Sequence, residues 1–238
     1  GVQLRSVRSY LVCVRHRELA NKSDIPQQSD ALMNSPITAL QDCGFSYVSP
    51  SAVRDSLVSK FSKMMLEHYL YRPDGIWAIV QLAPLPNAIH PVSITLLSWT
   101  GDGTLLMTLN HRQHTTWPSL PNCSILDVNT PALTDYIATH ATRGPFDSPS
   151  DISNVLNRLN ILDSQALENA AKDGLIAPNS AIAGVFRPTW KGACHMMRQT
   201  AAPIPKSSNT QSPAADQPDL SAIVATELKH PKYLCFCR

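Results

Sequence analysis

The residues best suited to covalent chemistry in this sequence are a cysteine and a histidine in the first half of the chain. Cys43 lies in ALQDCGFSY, and His90 lies in NAIHPVSITLL, just ahead of a predicted strand. A cysteine thiolate is a strong nucleophile, and a histidine within hydrogen-bonding reach can take up the thiol proton. The pair therefore suggests one activity, nucleophilic catalysis by Cys43 with His90 as the general base.

The order of Cys43 and His90 is similar in outline to viral papain-like cysteine proteases, in which a cysteine near the start of a helix precedes a histidine on or next to a strand. The resemblance implies a protease released from a polyprotein, and the first residue, Gly1, is consistent with such cleavage. However, Gly44 replaces the usual aromatic residue, and Cys43 falls at the end of a predicted helix, whereas the beginning of a helix lowers a thiol pKa. The alternative is a buried cysteine beside a helix-ending glycine.

The other histidines and cysteines lack the spacing of a metal site. His111 and His114 are three residues apart in LNHRQHTTW, but this is a predicted loop without a carboxylate or a second cysteine. Cys194 and His195 are adjacent, so their side chains diverge on a helix. The six cysteines, at positions 13, 43, 123, 194, 235 and 237, match no zinc pair and suit buried thiols in a reducing compartment. The sequence thus predicts no metal and no other cofactor.

The elements that would position these groups predict an α+β fold, in which an antiparallel sheet packs against several helices. The clearest signal is the turn TGDG between VSITLLSW and TLLMTLNH, which predicts a hairpin. Ahead of it, IWAIVQLAP is apolar on both faces and suits a central strand. These segments predict a three-stranded antiparallel meander over residues 76–110, flanked by further strands.

Helix starts are predicted wherever Ser or Thr precedes Pro, because the hydroxyl caps free amides and Pro fits the first helical position. Such pairs occur at positions 35–36, 49–50, 130–131 and 148–149. The second pair opens SPSAVRDSLVSKFSKMMLEHYLYR, where apolar residues and His68 recur at intervals of three and four. This spacing predicts a long amphipathic helix.

Other segments complete the predicted body. The opening VRSYLVCVRHR predicts a strand or extended arm, residues 18–34 a loop, and SILDV and SAIAGVF strands. Helices are predicted over 131–142, within SPSDISNVLNRLNIL, and within DSQALENAAKDG, the last opened by Asp163 and closed by Gly174. We expect a globular body over 1–200 with a helical layer at 131–174.

The C-terminal part is predicted to be an arm. Residues 201–218 contain four prolines, no aromatic residue and one strongly apolar side chain, Ile204, so burial cannot offset chain entropy. Extended at about 3 Å per residue, this linker spans roughly 50 Å. Residues 219–238 end in an apolar run and predict a docking segment. Its predicted anchors are Pro231, Tyr233, Leu234 and Phe236.

Composition and organisation together resemble the structural proteins of RNA viruses, capsid or capsid-surface components. Charged residues make up 16% of the chain, the net charge is +2, hydroxyl residues and prolines are abundant, and no catalytic motif stands out. The resemblance implies a non-enzymatic homo-oligomer within a larger protein shell, in the host cytoplasm and the virion. Its C-terminal arm would bind a neighbouring subunit, which raises effective concentration.

Two alternatives to assembly stay open from the sequence. The first is the cysteine protease with Cys43 and His90. The second is an RNA-binding module that contacts phosphates through the basic N-terminus. Its candidate residues are Arg5, Arg8, Arg15 and Arg17. No apolar run approaches the length of a membrane span, and the small net charge gives no general attraction to anionic membranes.

Overall fold

A computed structural model of the chain describes eight stretches of residues, which contain ten strands and four helices. The described stretches are 12–13, 15–20, 27–55, 65–82, 92–109, 122–128, 132–180 and 185–201. In chain order the strands are β1 (Val12–Cys13), β2 (Arg15–Leu19), β3 (Ser46–Asp55), β4 (Met65–Arg72), β5 (Ile76–Leu82), β6 (Val92–Trp99), β7 (Leu105–Leu109), β8 (Cys123–Asp127), β9 (Ile176–Pro178) and β10 (Val185–Pro188). The helices are α1 (Gln27–Asp42), α2 (Leu133–Ala141), α3 (Ile152–Lys172) and α4 (Trp190–Ala201).

The predicted α+β class is confirmed, and a seven-stranded sheet forms its centre. The strands lie in chain order from β2 to β8, and each pair is antiparallel except β7–β8, which is parallel. The predicted meander corresponds to β5, β6 and β7. Its hairpin closes through the N–H of Gly103, which donates to the Thr100 carbonyl at 2.8 Å. Gly103 has φ +81°, a conformation that glycine adopts without strain.

Helices cover both faces of the large sheet. On one face, Met33 and Leu40 of α1 and Tyr136 and Ile137 of α2 pack on alternate sheet residues such as Leu70. On the other face, α3 packs on Tyr69, Trp77, Leu97 and Trp99, whose positions alternate with the first set. The two helices within 131–174 therefore contact opposite faces of the sheet. None of the helices in the described stretches is long and apolar enough to cross a membrane.

A small three-stranded sheet, in the order β1–β10–β9, joins the N-terminal chain to the C-terminal part of the body. One residue separates β1 from β2 in the chain, so this segment belongs to both sheets. The first turn of α4 lies against Leu175, which connects α3 to β9. A Cβ on Gly192 would stand 1.9 Å from the Leu175 carbonyl oxygen, so this close approach requires glycine.

The long helix predicted to begin at Ser49–Pro50 is wrong, because this segment contains β3 and β4. Their antiparallel register pairs Ser51 with Glu67 and Val53 with Met65. The apolar residues of MLEHYLYR fit a strand that is buried on both faces as well as the three- and four-residue spacing that predicted a helix. Leu66, His68 and Leu70 are buried, and so are Glu67 and Tyr69 between them. Burial on both faces of a central strand thus decided the structure.

Several predicted boundaries are also wrong. The predicted loop over 18–34 contains the start of α1, and Pro36 lies inside that helix. The two helices predicted around Asp163 are one continuous helix, α3, whose cap is Asp151, which accepts a hydrogen bond from the Asn154 amide at 2.9 Å. Gly174 does follow the end of α3, with φ +67°. The strand SILDV is confirmed as β8, and the N-terminal strand as β1 and β2.

Candidate functional site

Cys43, the predicted nucleophile, directly follows α1. Its amide donates to the Leu40 carbonyl at 3.0 Å, and Gly44 then takes a φ of +89°, as a glycine that ends a helix does. Burial, and then the charge of Asp42, raise the pKa of the Cys43 thiol, while Arg72 opposes the shift. A raised pKa reduces the thiolate fraction that nucleophilic attack requires. His90 lies outside the described residues, so the pairing of the two stays a prediction.

The other candidate ligands and anchors are spread over the chain. His111 and His114, which the sequence did not favour as metal ligands, lie outside the described residues. The predicted anchors Pro231, Tyr233, Leu234 and Phe236 also lie outside them, so their docking role stays a prediction. Cys123 lies on β8, far in sequence from Cys194 and His195, which lie on α4. Within the described stretches, no group of three or more His, Cys, Asp or Glu side chains is arranged to hold a metal ion.

Of the four arginines predicted as RNA contacts, Arg17 is the one whose side chain the structure describes. Its side chain is 9% exposed, and its guanidinium binds two carboxylates. Nε donates to Oε2 of Glu67 at 2.9 Å, and Nη1 donates to Oδ2 of Asp163 at 2.6 Å. Arg17 is thus engaged in the core. Arg5, Arg8 and the side chain of Arg15 lie outside the described part, so a phosphate-binding role for them stays a prediction.

The ion cluster around Arg17 joins β2, β4 and α3. The Tyr69 hydroxyl donates to Glu67 Oε2 at 2.6 Å, and the Arg17 amide donates to Asn160 Oδ1 at 2.8 Å. Burial lowers the pKa of Arg17, but the charges of Glu67 and Asp163 outweigh it and raise that pKa overall. Burial, and then the Glu67 charge, raise the pKa of Tyr69, so the phenol stays a proton donor. The cluster fastens the edge strand β2 to α3.

A second buried polar network surrounds His140 of α2, on the opposite face of the sheet. His140 Nδ1 lies 2.7 Å from the Thr108 hydroxyl, and Nε2 lies 3.0 Å from the Ser98 hydroxyl. Ser98 donates its proton to the Gly75 carbonyl at 3.0 Å, so Nε2 must donate to Ser98. Arg143 Nη1 donates to Thr108 Oγ1 at 3.0 Å, which leaves the Thr108 proton for Nδ1.

The distance between Ser98 and His140 is one at which a base can activate a nucleophile. However, the hydrogen bond between them runs from the imidazole to the hydroxyl, and the network is closed to solvent. The Ser98 proton points to a carbonyl and not to the imidazole. Both side chains are fully buried, so no substrate reaches them. Burial, and then the Arg143 charge, lower the pKa of His140 to about 4, which keeps the ring neutral near pH 7. The network therefore positions α2 on the sheet.

The outer edge of β8 is the described surface that best fits a binding role. Val128 N–H donates to the Leu109 carbonyl, and the Asn122 carbonyl accepts from Leu105 N–H. The backbone N–H and C=O groups of the even-numbered residues of β8 therefore face β7. Since successive residues alternate, the N–H and C=O groups of Cys123 and Ile125 point away from β7. Among the described residues, no strand pairs with this edge. Ile125 and Leu126, on opposite faces of β8, are 42% and 37% exposed.

The β8 edge was missed by reasoning from the sequence, although SILDV was predicted to be a strand. The adjacent apolar residues Ile125 and Leu126 were the available signal, because a strand with apolar side chains on both faces suits a position inside a sheet. No family model, curated protein or solved structure matches the chain. The function is therefore inferred from the contacts and exposed surfaces of the described residues.

Proposed function

We propose that this protein is a non-enzymatic assembly subunit, a homo-oligomeric component of a viral particle whose C-terminal arm binds a neighbouring copy. The observation that carries the proposal is the apolar outer edge of β8. Exposed strand edges with unpaired backbone groups are templates for pairing with another chain, and proteins that stay monomeric block them. β8 contains one charged residue, Asp127, and neither lysine nor proline.

The buried polar groups support a structural and non-catalytic role. Arg17 is paired with both Glu67 and Asp163, and His140 is bonded at both ring nitrogens. Functional acids and bases usually sit in clefts where a substrate can reach them. These two networks instead join the helices to both faces of the sheet, which gives a rigid body suited to repeated contacts.

The proposal is tested by deleting residues 219–238 from the full chain. The expected result is a folded body with unchanged far-ultraviolet circular dichroism and a smaller oligomeric mass by multi-angle light scattering. A matched control replaces the linker segment 206–212 with a Gly/Ser sequence of equal length, which keeps the reach of the arm and should keep the mass. An unchanged mass after deletion of the arm would refute the proposal.

A further inference from the structure

The outer edge of β8 has the backbone geometry of an acceptor for one more strand. The outward N–H and C=O groups of Cys123 and Ile125 are spaced as an antiparallel partner requires, with hydrogen-bonded pairs at every second residue. The exposed side chains of Ile125 and Leu126 lie on opposite faces of β8, so an added strand would cover both. This is recognition by strand addition, in which the main chain supplies affinity and alternate side chains supply specificity.

We infer that the strand added to β8 is the segment Lys232–Phe236 from the C-terminal arm of a second copy, an inference that rests on the proposed function. Thirty residues separate Ala201 from Lys232, and at about 3 Å per extended residue they reach roughly 90 Å. A body of about 200 residues has a radius of gyration near 16 Å, so this length reaches the edge of a neighbour.

The side chains of the two segments define the register. In an antiparallel pair, Lys232 lies opposite Asp127, Leu234 opposite Ile125, and Phe236 opposite Cys123, all on one face of the sheet. On the other face, Tyr233 lies opposite Leu126 and Cys235 opposite Ser124. This register brings opposite charges together and pairs apolar side chains with the exposed apolar residues of β8.

Other registers lose these matches. A parallel strand would place Phe236 opposite Asp127 and Lys232 opposite Cys123. A shift of one residue would move Leu234 and Phe236 to the opposite face of the sheet. A shift of two residues would place Lys232 opposite Ile125 in one direction and Leu234 opposite Asp127 in the other. The antiparallel register with Lys232 at Asp127 is thus the one that satisfies charge and apolar contacts together.

A disulfide between position 124 and the native Cys235 tests this register. The backbone of Ser124 points toward β7, so Ser124 and Cys235 form a non-hydrogen-bonded pair with Cα atoms about 4.5 Å apart, which a disulfide can bridge. The full-length Ser124→Cys variant also carries Cys123→Ser and Cys237→Ser to remove the neighbouring thiols. Copies labelled with 14N and 15N are mixed, oxidised, digested and analysed by mass spectrometry.

The expected product is a disulfide between Cys235 and position 124 that joins differently labelled peptides. Leu126→Cys in the same background is the matched control, because it lies opposite Tyr233 and should yield at least several-fold less of the product. His16→Cys, on the other edge of the sheet, should yield none. Circular dichroism verifies that each variant is folded.

The outcomes separate this inference from the proposed function. A disulfide between copies supports both. A disulfide within one copy supports the acceptor site but overturns arm exchange between subunits. Equal yields at positions 124, 126 and 16, or no disulfide at all, overturn the acceptor site. If the deletion of residues 219–238 still lowers the oligomeric mass in that last case, the proposed function stands with another docking surface.

Discussion

The two edges of the seven-stranded sheet are built in opposite ways. The β2 edge has the sequence RHREL, and its Arg17 is anchored to Glu67 and Asp163 in the interior. The β8 edge has the sequence CSILD and exposes Ile125 and Leu126. Charged residues on an edge and charges that point inward are common means of preventing strand addition.

Under the proposed function, the sheet has one closed and one receptive edge. β2 is charged and is fastened to α3 through Asn160 and Asp163. β8 is held to the body from its inner side, where Arg143 donates to the Ser124 carbonyl at 2.8 Å. A sheet with one receptive edge would accept one strand, and its closed edge would add none.

The largest effect on the free energy of unfolding is expected from replacing Arg17, which fastens the closed edge to the interior. Arg17→Met leaves the carboxylate of Glu67, which is 2% exposed, without its cation. Losing one partner of a buried ion pair lowers the free energy of unfolding by about 3–5 kcal/mol. Urea denaturation measures the loss. Asp74→Asn, which removes the exposed pair with Arg72, is the control and should cost below about 1 kcal/mol. Equal losses would contradict the anchoring role.

A smaller effect on the free energy of unfolding, which depends on pH, is expected from the network around His140. The pKa of His140 falls from 6.5 to about 4 on folding, so the unfolded chain binds the proton more tightly. The contribution of neutral His140 to the free energy of unfolding is about 3 kcal/mol. It is fully present above pH 6.5 and is lost as the pH falls toward 4. Urea denaturation at pH 7 and pH 4.5 measures the slope. His140→Gln should flatten it, and an unchanged slope would contradict this assignment.

The smallest effect on stability, and a clear effect on assembly, is expected at the receptive edge. Ile125→Lys places a charge on the surface that is proposed to accept the added strand. It should change the free energy of unfolding by less than about 0.5 kcal/mol, because the side chain is exposed. It should weaken association at least about tenfold, measured by light scattering over a dilution series. Leu19→Lys on β2 is the control, and equal weakening by both would remove the distinction between the edges.

The fold could be predicted from the sequence where the pattern is local. The hairpin at TGDG and the strands around it depend on neighbouring residues, and Gly103 supplies the turn conformation. The segment that contains β3 and β4 could not be predicted correctly, because its apolar residues fit both helical and strand periods. Only burial by α3 on one face and α1 and α2 on the other selects the strand.

The candidate sites depend on contacts that no local pattern encodes. Arg17 meets Asp163 across 146 residues of sequence, and His140 meets Ser98 across 42. Whether β8 is an edge depends on the order of all seven strands. The basic N-terminus therefore predicted phosphate contacts, although one of its arginines is an internal anchor. The apolar pair Ile125–Leu126 was visible in the sequence, but its exposure was not.

The short segment that runs from β1 into β2 also has a mechanical consequence. It pairs with β10 through Val12 and Cys13 and with β3 through Arg15–Leu19. A pulling force applied to the chain before Val12 is therefore resisted first by the small sheet and then by the large one. In the large sheet, Arg17 transmits part of the load to α3 through Asp163 and Asn160. Tension at the N-terminus would thus load the body in two successive stages.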